Sequence, residues 1–394
     1  MGAAVATTNP RSGMLSMQGI VVPQASIDPK GFFQMTRRQR FQVRSNQTWL
    51  GHGARESIQI PAVGILSAIV VTVKGTATIT TAAATTSYRW PYDLLKAVNF
   101  SANGQSSLIS ASGWKLKARE MMKDGVNDRG VTQTIAGTSR NQGTLSLAQE
   151  SWGMTQGTSN ATGTYNFEID VEIPVAADPQ YLIGAIFSQT SSTQLLLEIE
   201  WNTVANLVGT NPGNVAFSNV TYTVETEVFS LPSVNGVVVL PDLSSFHFFT
   251  QFAATNLSAG GDNEYKLVGV GLGKSLLRIL FQVWNNGQNN QPLAMTTANF
   301  PSASWRYGGA EVPEKYLGGT LLARENERNY NSAIGAYQGF GCFDFAVANA
   351  FRDIVDEGSA TELRFGFELA TGTTVSNPVV EIVREEVMSA PTGL

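Results

Sequence analysis

Three acidic side chains alternate along one short stretch of the chain, Glu168, Asp170 and Glu172. In a β-strand, residues i, i+2 and i+4 share one face. Carboxyl groups paired on one face could serve as nucleophile and general acid/base in the cleavage of a glycosidic bond. A retaining pair needs its carboxyl groups about 5 Å apart, whereas residues i and i+4 of a flat strand are about 13 Å apart. Catalysis would therefore require strong local convergence of these side chains.

The run resembles the E-[IV]-D-x-E signature of laminarinase/lichenase-type glycosidases, which are themselves jelly rolls. The resemblance implies that Glu168 is the nucleophile, Glu172 the acid/base and Asp170 the residue that tunes the pair. The alternative is the polar face of a half-buried strand. The run leads directly into Pro174, and a similar segment later in the chain keeps the apolar positions but only one acid, Asp344. We therefore expect no catalytic residue and no enzyme, with a glycosidase or lectin as the alternative function.

Other motifs that could bind a cofactor or a metal are incomplete. Segment 269–275, GVGLGKS, imitates a phosphate-binding loop. Only three residues separate its outer glycines, where the Walker pattern needs four. His52 and His247 are the only histidines and Cys342 is the only cysteine, too few for a His/Cys metal site. We expect no cofactor, no metal and a buried, inert thiol at Cys342.

The stretch containing the acidic run occurs twice, at 166–201 and 342–369. At both ends of each copy, apolar residues alternate with polar ones, which predicts strands with one buried face. Between these strands, Asp178 followed by proline predicts the start of a short helix in the first copy. The spacing of apolar residues in 351–355 predicts a helix in the second copy, with Gly358 ending it.

A second pair of similar segments precedes these copies: LLKAVNFSANGQ at 94–105 resembles LLRILFQVWNNGQ at 276–288. Asn-Gly after a strand is a strong hairpin signal, because both turn positions favour positive φ. Echoes in the same order at a nearly constant offset indicate two copies of one all-β unit. Between them, SGWKLKAREMM (112–122) is predicted as a strand leading into a polar connector. Long loops are predicted at 123–164 and 289–338.

A chain of 394 residues suits two domains. Many strands, few helices and long loops at matching places predict an all-β protein of two jelly-roll sandwiches. Two prolines bracket LPSVNGVVVLPD, which predicts the domain boundary. The predicted division is an N-terminal arm at 1–44, a first jelly roll at 45–231, a linker at 232–242, a second jelly roll at 243–385 and a C-terminal tail at 386–394.

Charge is sparse and unevenly spread. Charged residues make up 14 % of the chain, against about a quarter in average proteins. The net charge of −5 argues against wrapping nucleic acid, and we expect no sequence-specific nucleic acid binding. Residues 1–60 carry seven cations and two acids, 7 − 2 = +5, which leaves −10 for the remainder. Arg37, Arg38, Arg40 and Arg44 among phenylalanines indicate either a solvated strand face or a foot on an anionic surface, lipid or nucleic acid.

Five segments together resemble the double jelly-roll major capsid protein of tectiviruses, the tailless icosahedral bacteriophages with an internal membrane. The similarity lies in their order and in the duplicated layout. The segments are SGWKLK (112–117), VEIPVAADPQYLIGAIFSQ (171–189), LPSVNGVVVLPDLSS (231–245), TANFPSASW (297–305) and EKYLGGTLLARENERNY (314–330).

The resemblance implies two tandem eight-stranded jelly rolls, each with a helix between its fifth and sixth strands, where the two strand–helix–strand copies would lie. It implies a pseudo-hexagonal homotrimer that forms the icosahedral shell of a virion assembled in the host cytoplasm. The implied partners are neighbouring capsomers, penton and minor capsid proteins, and the internal membrane through the N-terminal arm. A non-viral structural β-protein is a third possibility.

Overall fold

The computed structural model describes most of the chain. The described residues are 15–17, 20–22, 25–103, 105–124, 152–178, 180–189, 194–254, 257–258, 260–267, 273–285, 291–307, 311–330, 339–347, 355–356, 363–370 and 378–389. Strands dominate them. None of the helices in these ranges is long and apolar enough to cross a membrane.

Within its described residues, the N-terminal half contains seventeen strands, several of them very short. In chain order they are β1 Leu15–Met17, β2 Ile20–Val22, β3 Ala25–Ile27, β4 Arg38–Thr48, β5 Arg55–Ile60, β6 Ile65–Ile79, β7 Ala84–Thr86, β8 Leu95–Ala102, β9 Gln105–Ala111, β10 Ser159–Asn160, β11 Gly163–Ile173, β12 Ile186–Phe187, β13 Leu195–Trp201, β14 Val208–Thr210, β15 Val215–Phe229, β16 Ser233–Val234 and β17 Val237–Leu240. Its helices are α1 Pro29–Met35, α2 Gly113–Asp124 and α3 Val204–Leu207.

The part of the C-terminal half that the structure describes contains ten strands and one helix. The strands are β18 Ser245–Ala254, β19 Asp262–Lys266, β20 Lys274–Asn285, β21 Gln291–Pro292, β22 Ser302–Tyr307, β23 Glu311–Tyr316, β24 Phe340–Asp344, β25 Val355–Asp356, β26 Leu363–Glu368 and β27 Pro378–Ser389. The helix is α4 Gly319–Tyr330.

Eight long strands of each half form the same pair of sheets. In the first half, sheet 1a has the order β11-β6-β15-β4 and sheet 1b the order β9-β8-β13-β5. In the second half, sheet 2a has the order β24-β20-β27-β18 and sheet 2b the order β19-β26-β22-β23. Counted along each half, both "a" sheets pair strands 1-8-3-6 and both "b" sheets pair strands 2-7-4-5. This is the jelly-roll connection, so the predicted fold of two tandem jelly rolls is confirmed.

Alternation of apolar residues determines which face of each strand is buried. In β11, Phe167, Ile169 and Val171 are buried in the core of the first roll, while Glu168 between them is exposed. In β13 the buried positions are Leu195, Leu197, Ile199 and Trp201. The second roll has its own core, to which Phe365 and Phe367 of β26 contribute. The predicted strands at both ends of the first copy are therefore confirmed.

The predicted helix at Asp178 is wrong. The segment after β11 runs through turns, and Asp178 forms an isolated bridge with Ile183. The Asp178 carboxylate accepts hydrogen bonds from the backbone N–H groups of Gln180 and Tyr181, at 2.9 and 3.2 Å. The side chain thus caps a turn rather than a helix, because Leu182 has a φ of 59°, which no α-helix continues.

In the second copy, Val355 was assigned to a helix but lies in β25. Phe351, Ile354 and Gly358 lie outside the described residues. β25 pairs with β20 as β12 pairs with β6. The two copies therefore occupy equivalent places between the sixth and seventh strands of their rolls, and each contributes a short strand to its "a" sheet.

Segment 112–122, predicted as a strand, forms helix α2. Trp114, Leu116 and Ala118 alternate as in a strand, but Lys115, Lys117 and Arg119 are buried as well. A helix buried on all sides carries no amphipathic period, so the pattern was misleading. Helix α2 lies between the fifth and sixth strands of the first roll, and α4 occupies that place in the second. The helices that the resemblance implies between the fifth and sixth strands are thus present. Their placement in the two copies at 166–201 and 342–369 was wrong.

Two further sequence interpretations are corrected. Region 289–338, predicted as a long loop, contains β22, β23 and α4. The Asn-Gly-Gln echo pairs strands that are not equivalent, because β8 is the fourth strand of its roll and β20 the third. The first hairpin is present, with Asn103 at a φ of 51° between β8 and β9. The second turn, at 286–288, lies outside the described residues.

Candidate functional site

The two jelly rolls meet at a buried polar contact that we call the inter-roll junction. From the first roll it contains Arg89, Lys115 and Arg119, and from the second Arg278, Gln282, Glu381 and Glu385. Helix α2 and the segment before β8 lie against the outer face of sheet 2a there. Among these seven residues only Arg89 keeps an appreciably exposed side chain, at 23 %.

Sheet 2a is buried on both faces, and this positions the junction. In β27, Val380 and Ile382 point into the core of the second roll. Glu381 and Glu385 lie on the opposite face, with Val383 between them packing against the first roll. β20 repeats the arrangement, with Arg278, Leu280, Gln282 and Trp284 towards the first roll. Alternation thus places two carboxylates in a row beneath α2.

Glu385 is the centre of the junction. Its Oε1 accepts hydrogen bonds from Nε and Nη2 of Arg119, at 3.0 and 2.7 Å. Its Oε2 accepts from Nη1 of Arg278, at 2.7 Å. Nε2 of His247 lies 3.1 Å from Oε1. One carboxylate therefore joins α2 of the first roll to three strands of the second.

The two arginines at Glu385 are held in place by further acceptors. Arg278 Nε lies 3.2 Å from Asp344 Oδ1, and its Nη2 donates to the Ala346 carbonyl at 3.2 Å. Arg119 Nη2 also donates to the Ala177 carbonyl, at 3.1 Å. Tyr330 of α4 donates to Asp344. Two guanidinium groups and two carboxylates thus balance charge in a buried cluster.

A second carboxylate, that of Glu381, lies four residues before Glu385 on the same face of β27. Its Oε2 is 3.0 Å from Lys115 Nζ and accepts from Trp284 Nε1 at 2.9 Å. Its Oε1 is 2.8 Å from Arg89 Nη2. The Arg89 guanidinium lies 4.1 Å from the centre of the Trp284 ring, in cation–π contact. Gln282 accepts from Lys115 Nζ at 2.6 Å and from Trp114 Nε1 at 3.0 Å.

Burial and pairing shift the pKa values of these groups in opposite senses. Burial alone would raise the pKa of Glu385, but Arg119 and Arg278 outweigh it and hold that pKa well below its usual range. Glu381 behaves likewise beside Lys115 and Arg89, with a lowered pKa. Burial lowers the pKa of Lys115 to about 8, although Glu381 opposes the shift. Burial raises the pKa of Asp93 to about 6, although Arg89 opposes it.

A backbone contact continues the junction. β9 at the edge of sheet 1b pairs in parallel with β18 at the edge of sheet 2a, through Ile109–Phe249 and Ser110–Thr250. The next residue pair is joined by side chains, because Gln251 Oε1 accepts from the N–H and the hydroxyl of Ser112, at 2.9 and 3.0 Å. Sheets 1b and 2a therefore form one continuous sheet.

The predicted glycosidase residues lie on the outer face of β11. Glu168 is exposed, and Asp170 and Glu172 are half-buried. β11 pairs with β6 over its whole length without a register shift, so no bulge brings Glu168 and Glu172 together. Their partners on β6 are Lys74 and Val70 rather than a second carboxylate. The convergence that catalysis requires is not provided by this strand.

The predicted basic residues lie at the start of β4. Arg38 forms an ion pair with Glu227, and Arg40 lies 3.8 Å from the same carboxylate. Arg37 and Arg44 are exposed. Three large apolar side chains nearby on α1 and β4 are also exposed, Phe33, Met35 and Phe41. This patch is cationic and apolar, and its role as a contact surface stays a prediction.

Both histidines have hydrogen-bond partners, and the cysteine is a buried free thiol. His52 Nδ1 lies 2.8 Å from the Asn202 carbonyl, and His247 belongs to the junction. Cys342 is buried and unpaired, and burial raises its pKa to about 12, which makes the thiolate scarce at neutral pH. Within the described residues, no three His, Cys, Asp or Glu side chains are grouped to hold a metal ion. Most of the glycine-rich segment 269–275 lies outside the described residues.

No motif in the sequence predicts the junction. Polar residues in a strand usually lie on its solvated face, so the pattern VVEIVREEV does not indicate that Glu381 and Glu385 are buried. A signal was present in two places. Segment 114–119 interleaves three cations with Trp114, Leu116 and Ala118, and β27 carries acids four residues apart on one face. Arg119 and Glu385 are 266 residues apart in the sequence, so only the fold shows that these opposite charges meet.

We predict that Glu385→Gln destabilises the protein strongly. Removing Glu385 as a charged partner leaves Arg119 without its carboxylate and Arg278 with Asp344 alone, which costs about 3–5 kcal/mol. The matched control is Glu200→Gln, because Glu200 pairs with exposed Arg55 and Lys96 and such pairs contribute about 0–1 kcal/mol. Free energies of unfolding from urea titrations of both variants test this, and equal losses would contradict a central role for Glu385.

We predict that Asp93→Asn changes the pH dependence of stability. A carboxyl group with a raised folded-state pKa stabilises the fold below its unfolded pKa of 3.8, and this contribution is lost as pH rises through about 6. The shift corresponds to at most about 3 kcal/mol. The variant should match the wild type in unfolding free energy at pH 4 and exceed it at pH 7. Asp262→Asn, at an exposed site, is the control, and a pH-independent difference for Asp93→Asn would refute the assignment.

The fold is similar to that of solved structures. The sequence matches no protein-family model and no curated protein. Solved structures do match over nearly their whole length. The STIV MCP, from Sulfolobus Turreted Icosahedral Virus, has a TM-score of 0.66 and 16 % identity, and the match covers 90 % of this chain and 98 % of that one.

Two other viral capsid structures match similarly. The PBCV-1 virus capsid protein has a TM-score of 0.55 and 12 % identity, covering 91 % of this chain and 96 % of that one. The major capsid protein P2 from Bacteriophage PM2 has a TM-score of 0.50 and 11 % identity, covering 91 % and 100 %. The chain therefore has the double jelly-roll fold that these viral major capsid proteins share.

Proposed function

We propose that this protein is the major capsid protein of an icosahedral virus and that its role is structural. Three copies would form a pseudo-hexagonal capsomer, and capsomers would tile a shell around an internal membrane. Penton and minor capsid proteins would complete the shell. The protein would be assembled in the host cytoplasm and reside in the virion.

The observation that carries this proposal is the duplication of one roll within a single chain. Two sheets with identical strand order recur in each half, and the junction at Glu385 and Glu381 holds the halves together. Three copies of a unit with two similar halves present six similar edges, which suits a tile with hexagonal neighbours. The viral capsid proteins that share the fold support the same role.

The composition also supports a subunit that is covered by neighbours. Only 14 % of the residues are charged, and the large side chains Leu317, Leu321 and Leu50 are 70 %, 45 % and 69 % exposed in the single chain. Burying these side chains against a neighbouring chain would remove their apolar area from water. We also propose the regions 123–164 and 289–338 for contacts between subunits; residues 125–151 lie outside the described residues. The domain boundaries at 231/232 and 242/243 stay proposals, and those at 44/45 and 385/386 fall within strands β4 and β27.

We predict that the purified protein forms a stable trimer. Size-exclusion chromatography with light scattering should give three times the chain mass of 42.3 kDa. Negative-stain images of the same fraction should show single particles with hexagonal outlines. A monomer at micromolar concentration, without such particles, would contradict the capsomer and favour a different structural role.

We further propose that Arg37, Arg38, Arg40 and Arg44 lie on the inner surface of the shell and face the membrane. Exposed Phe33, Met35 and Phe41 accompany them, and a patch that mixes cations with apolar rings suits an anionic lipid surface. Since Arg38 and Arg40 share the Glu227 carboxylate, most of the unbalanced charge resides on Arg37 and Arg44.

We predict that the protein floats with anionic liposomes and not with neutral ones. Replacing Arg37 and Arg44 by Glu should abolish flotation, because each basic residue near an anionic surface contributes about 1 kcal/mol. Salt should weaken the binding of the wild type. Arg55→Glu, at another exposed arginine, serves as the control. Equal flotation with both kinds of liposome, or with neither, would remove the electrostatic contact.

A further inference from the structure

Sheets 1a and 2a correspond residue by residue. In sheet 1a, the pairing of β6 with β15 shifts register at Ser67, whose carbonyl accepts from the Ala176 N–H at 2.7 Å. In sheet 2a, the pairing of β20 with β27 shifts at Leu277, whose carbonyl accepts from the Phe345 N–H at 2.9 Å. The same irregularity thus occurs at the same place in both rolls.

This shared bulge fixes the correspondence of the outer faces. One step beyond it, Glu227 pairs with Ala68 in sheet 1a, and Glu385 pairs with Arg278 in sheet 2a. Glu227 is therefore the counterpart of Glu385. Continuing along both strand pairs, Thr72 and Thr223 of sheet 1a are the counterparts of Gln282 and Glu381, the residues that Lys115 of α2 contacts.

The two corresponding faces differ in what covers them. The outer face of sheet 2a lies under α2, and Glu385, Gln282 and Glu381 are at most 7 % exposed. On sheet 1a, β4 is exposed along almost its whole length, and Thr72 and Thr223 are half-buried. Among the described residues no helix takes the place on sheet 1a that α2 takes on sheet 2a.

Helix α4 has the place of α2 in its own roll, but within the described residues it covers no sheet of another roll. Each helix begins with a glycine that lies against the chain before the fourth strand, Gly113 near Tyr92 and Gly319 near Thr296. The third, seventh and tenth residues of α2 face sheet 2a, and they are Lys115, Arg119 and Met122. The matching face of α4 contains Leu321, Glu325 and Arg328. Leu321 is 45 % exposed and the Arg328 side chain 75 %.

The strand edges repeat this complementarity. Within the chain, β9 at the end of sheet 1b pairs in parallel with β18 at the end of sheet 2a. The corresponding strands are β23 at the end of sheet 2b and β4 at the end of sheet 1a. Each is the last strand of its sheet in the described chain. A single chain therefore contains the contact between sheets 1b and 2a. The equivalent contact, between sheet 2b and sheet 1a, is not made within the described chain, and its edges β23 and β4 are left without a strand partner on one side.

We propose that α4 and the edge of β23 of one copy dock on sheet 1a and the edge of β4 of a second copy, in the geometry of the inter-roll junction. The inference rests on the proposed capsomer and identifies the surfaces that close it. The contact is head-to-tail, the kind that forms a closed ring when its rotation closes, and the proposed capsomer is a ring of three. Leu321 then covers Thr72 and Thr223 of the neighbour. Arg44 pairs with Val224 beside Thr223, so Arg44 belongs to this contact in the trimer and the basic residues at the start of β4 face the membrane.

Opposite charges are present on the two surfaces, although Glu325 takes the place of Arg119 and Glu227 is already paired with Arg38 and Arg40. The exposed face of α4 carries Arg324 and Arg328. The outer face of β15 carries Glu225 and Glu227, and the Glu225 carboxylate accepts from Gln42 at 3.3 Å. In the junction within the chain, the helix likewise supplies the cations and the eighth strand of the roll supplies the carboxylates. The second contact is thus a weaker, more solvated version of the first, as suits assembly after folding.

Cross-linking between singly substituted chains tests the contact. Leu321→Cys and Thr223→Cys chains are co-expressed and treated with a short bismaleimide. Cys342 is 1 % exposed and does not compete. A covalent product of two chains is expected for this mixture and not for Leu321→Cys mixed with Ser57→Cys, an exposed site on β5. A product in both mixtures, or in neither, would overturn the docking geometry.

Charge reversal gives an independent readout. Arg324→Glu with Arg328→Glu should raise the concentration at which the trimer dissociates by roughly tenfold or more. Glu225→Arg on the same chain should recover part of the loss. Circular dichroism and the urea midpoint of each variant show that the chain is folded. Arg55→Glu, away from both surfaces, should leave the dissociation concentration unchanged.

The outcomes separate this inference from the proposed function. A wild-type trimer that neither cross-links at 321 and 223 nor responds to reversal at 324 and 328 would overturn the docking surfaces and leave the capsomer standing. A wild-type monomer would overturn the capsomer itself, and the docking surfaces with it. A cross-linked trimer that weakens on charge reversal supports both.

Discussion

The structure depends on two carboxylates of β27 that are buried against cations of the first roll. Taking a charge out of water costs several kcal/mol, and attraction repays this only when hydrogen bonds satisfy the remaining atoms. Glu385 meets that condition with Arg119, Arg278 and His247 around it. Such a cluster has one low-energy arrangement. Its main effect is therefore to determine how the rolls are oriented, and a purely apolar contact of equal area would define this less sharply.

The junction explains why the two rolls differ in composition despite their common topology. Sheet 2a has an inner face in its own core and an outer face against the first roll, so every residue from Leu276 to Asn285 is buried. Sheet 1a has only one covered face, and β11 consequently alternates between buried and exposed residues. The position of a sheet within the chain, and not its place in the roll, determined which pattern evolved.

A protein built from two similar halves can use one contact twice. The contact within the chain forms during folding and can be strong, because its parts are linked covalently. The proposed contact between chains would form between folded units and would have to remain specific among many copies. Within the chain, the ions of the junction are buried, as at Arg119, whereas the Arg328 side chain on the proposed contact surface is exposed. Leu321, which is also exposed, would supply apolar area there.

The sequence by itself determined the all-β class, the duplication and the burial of strands such as β11 and β13, because a two-residue period encodes one buried face locally. It also placed the hairpin at Asn103 and the buried thiol of Cys342. It could not place α2, because a helix buried on every side has no amphipathic period. It could not reveal that Glu385 and Arg119 meet, because they are 266 residues apart and only the packing of one roll on the other brings opposite charges together. Local pattern decided the elements, and tertiary contact decided which polar residues became the junction.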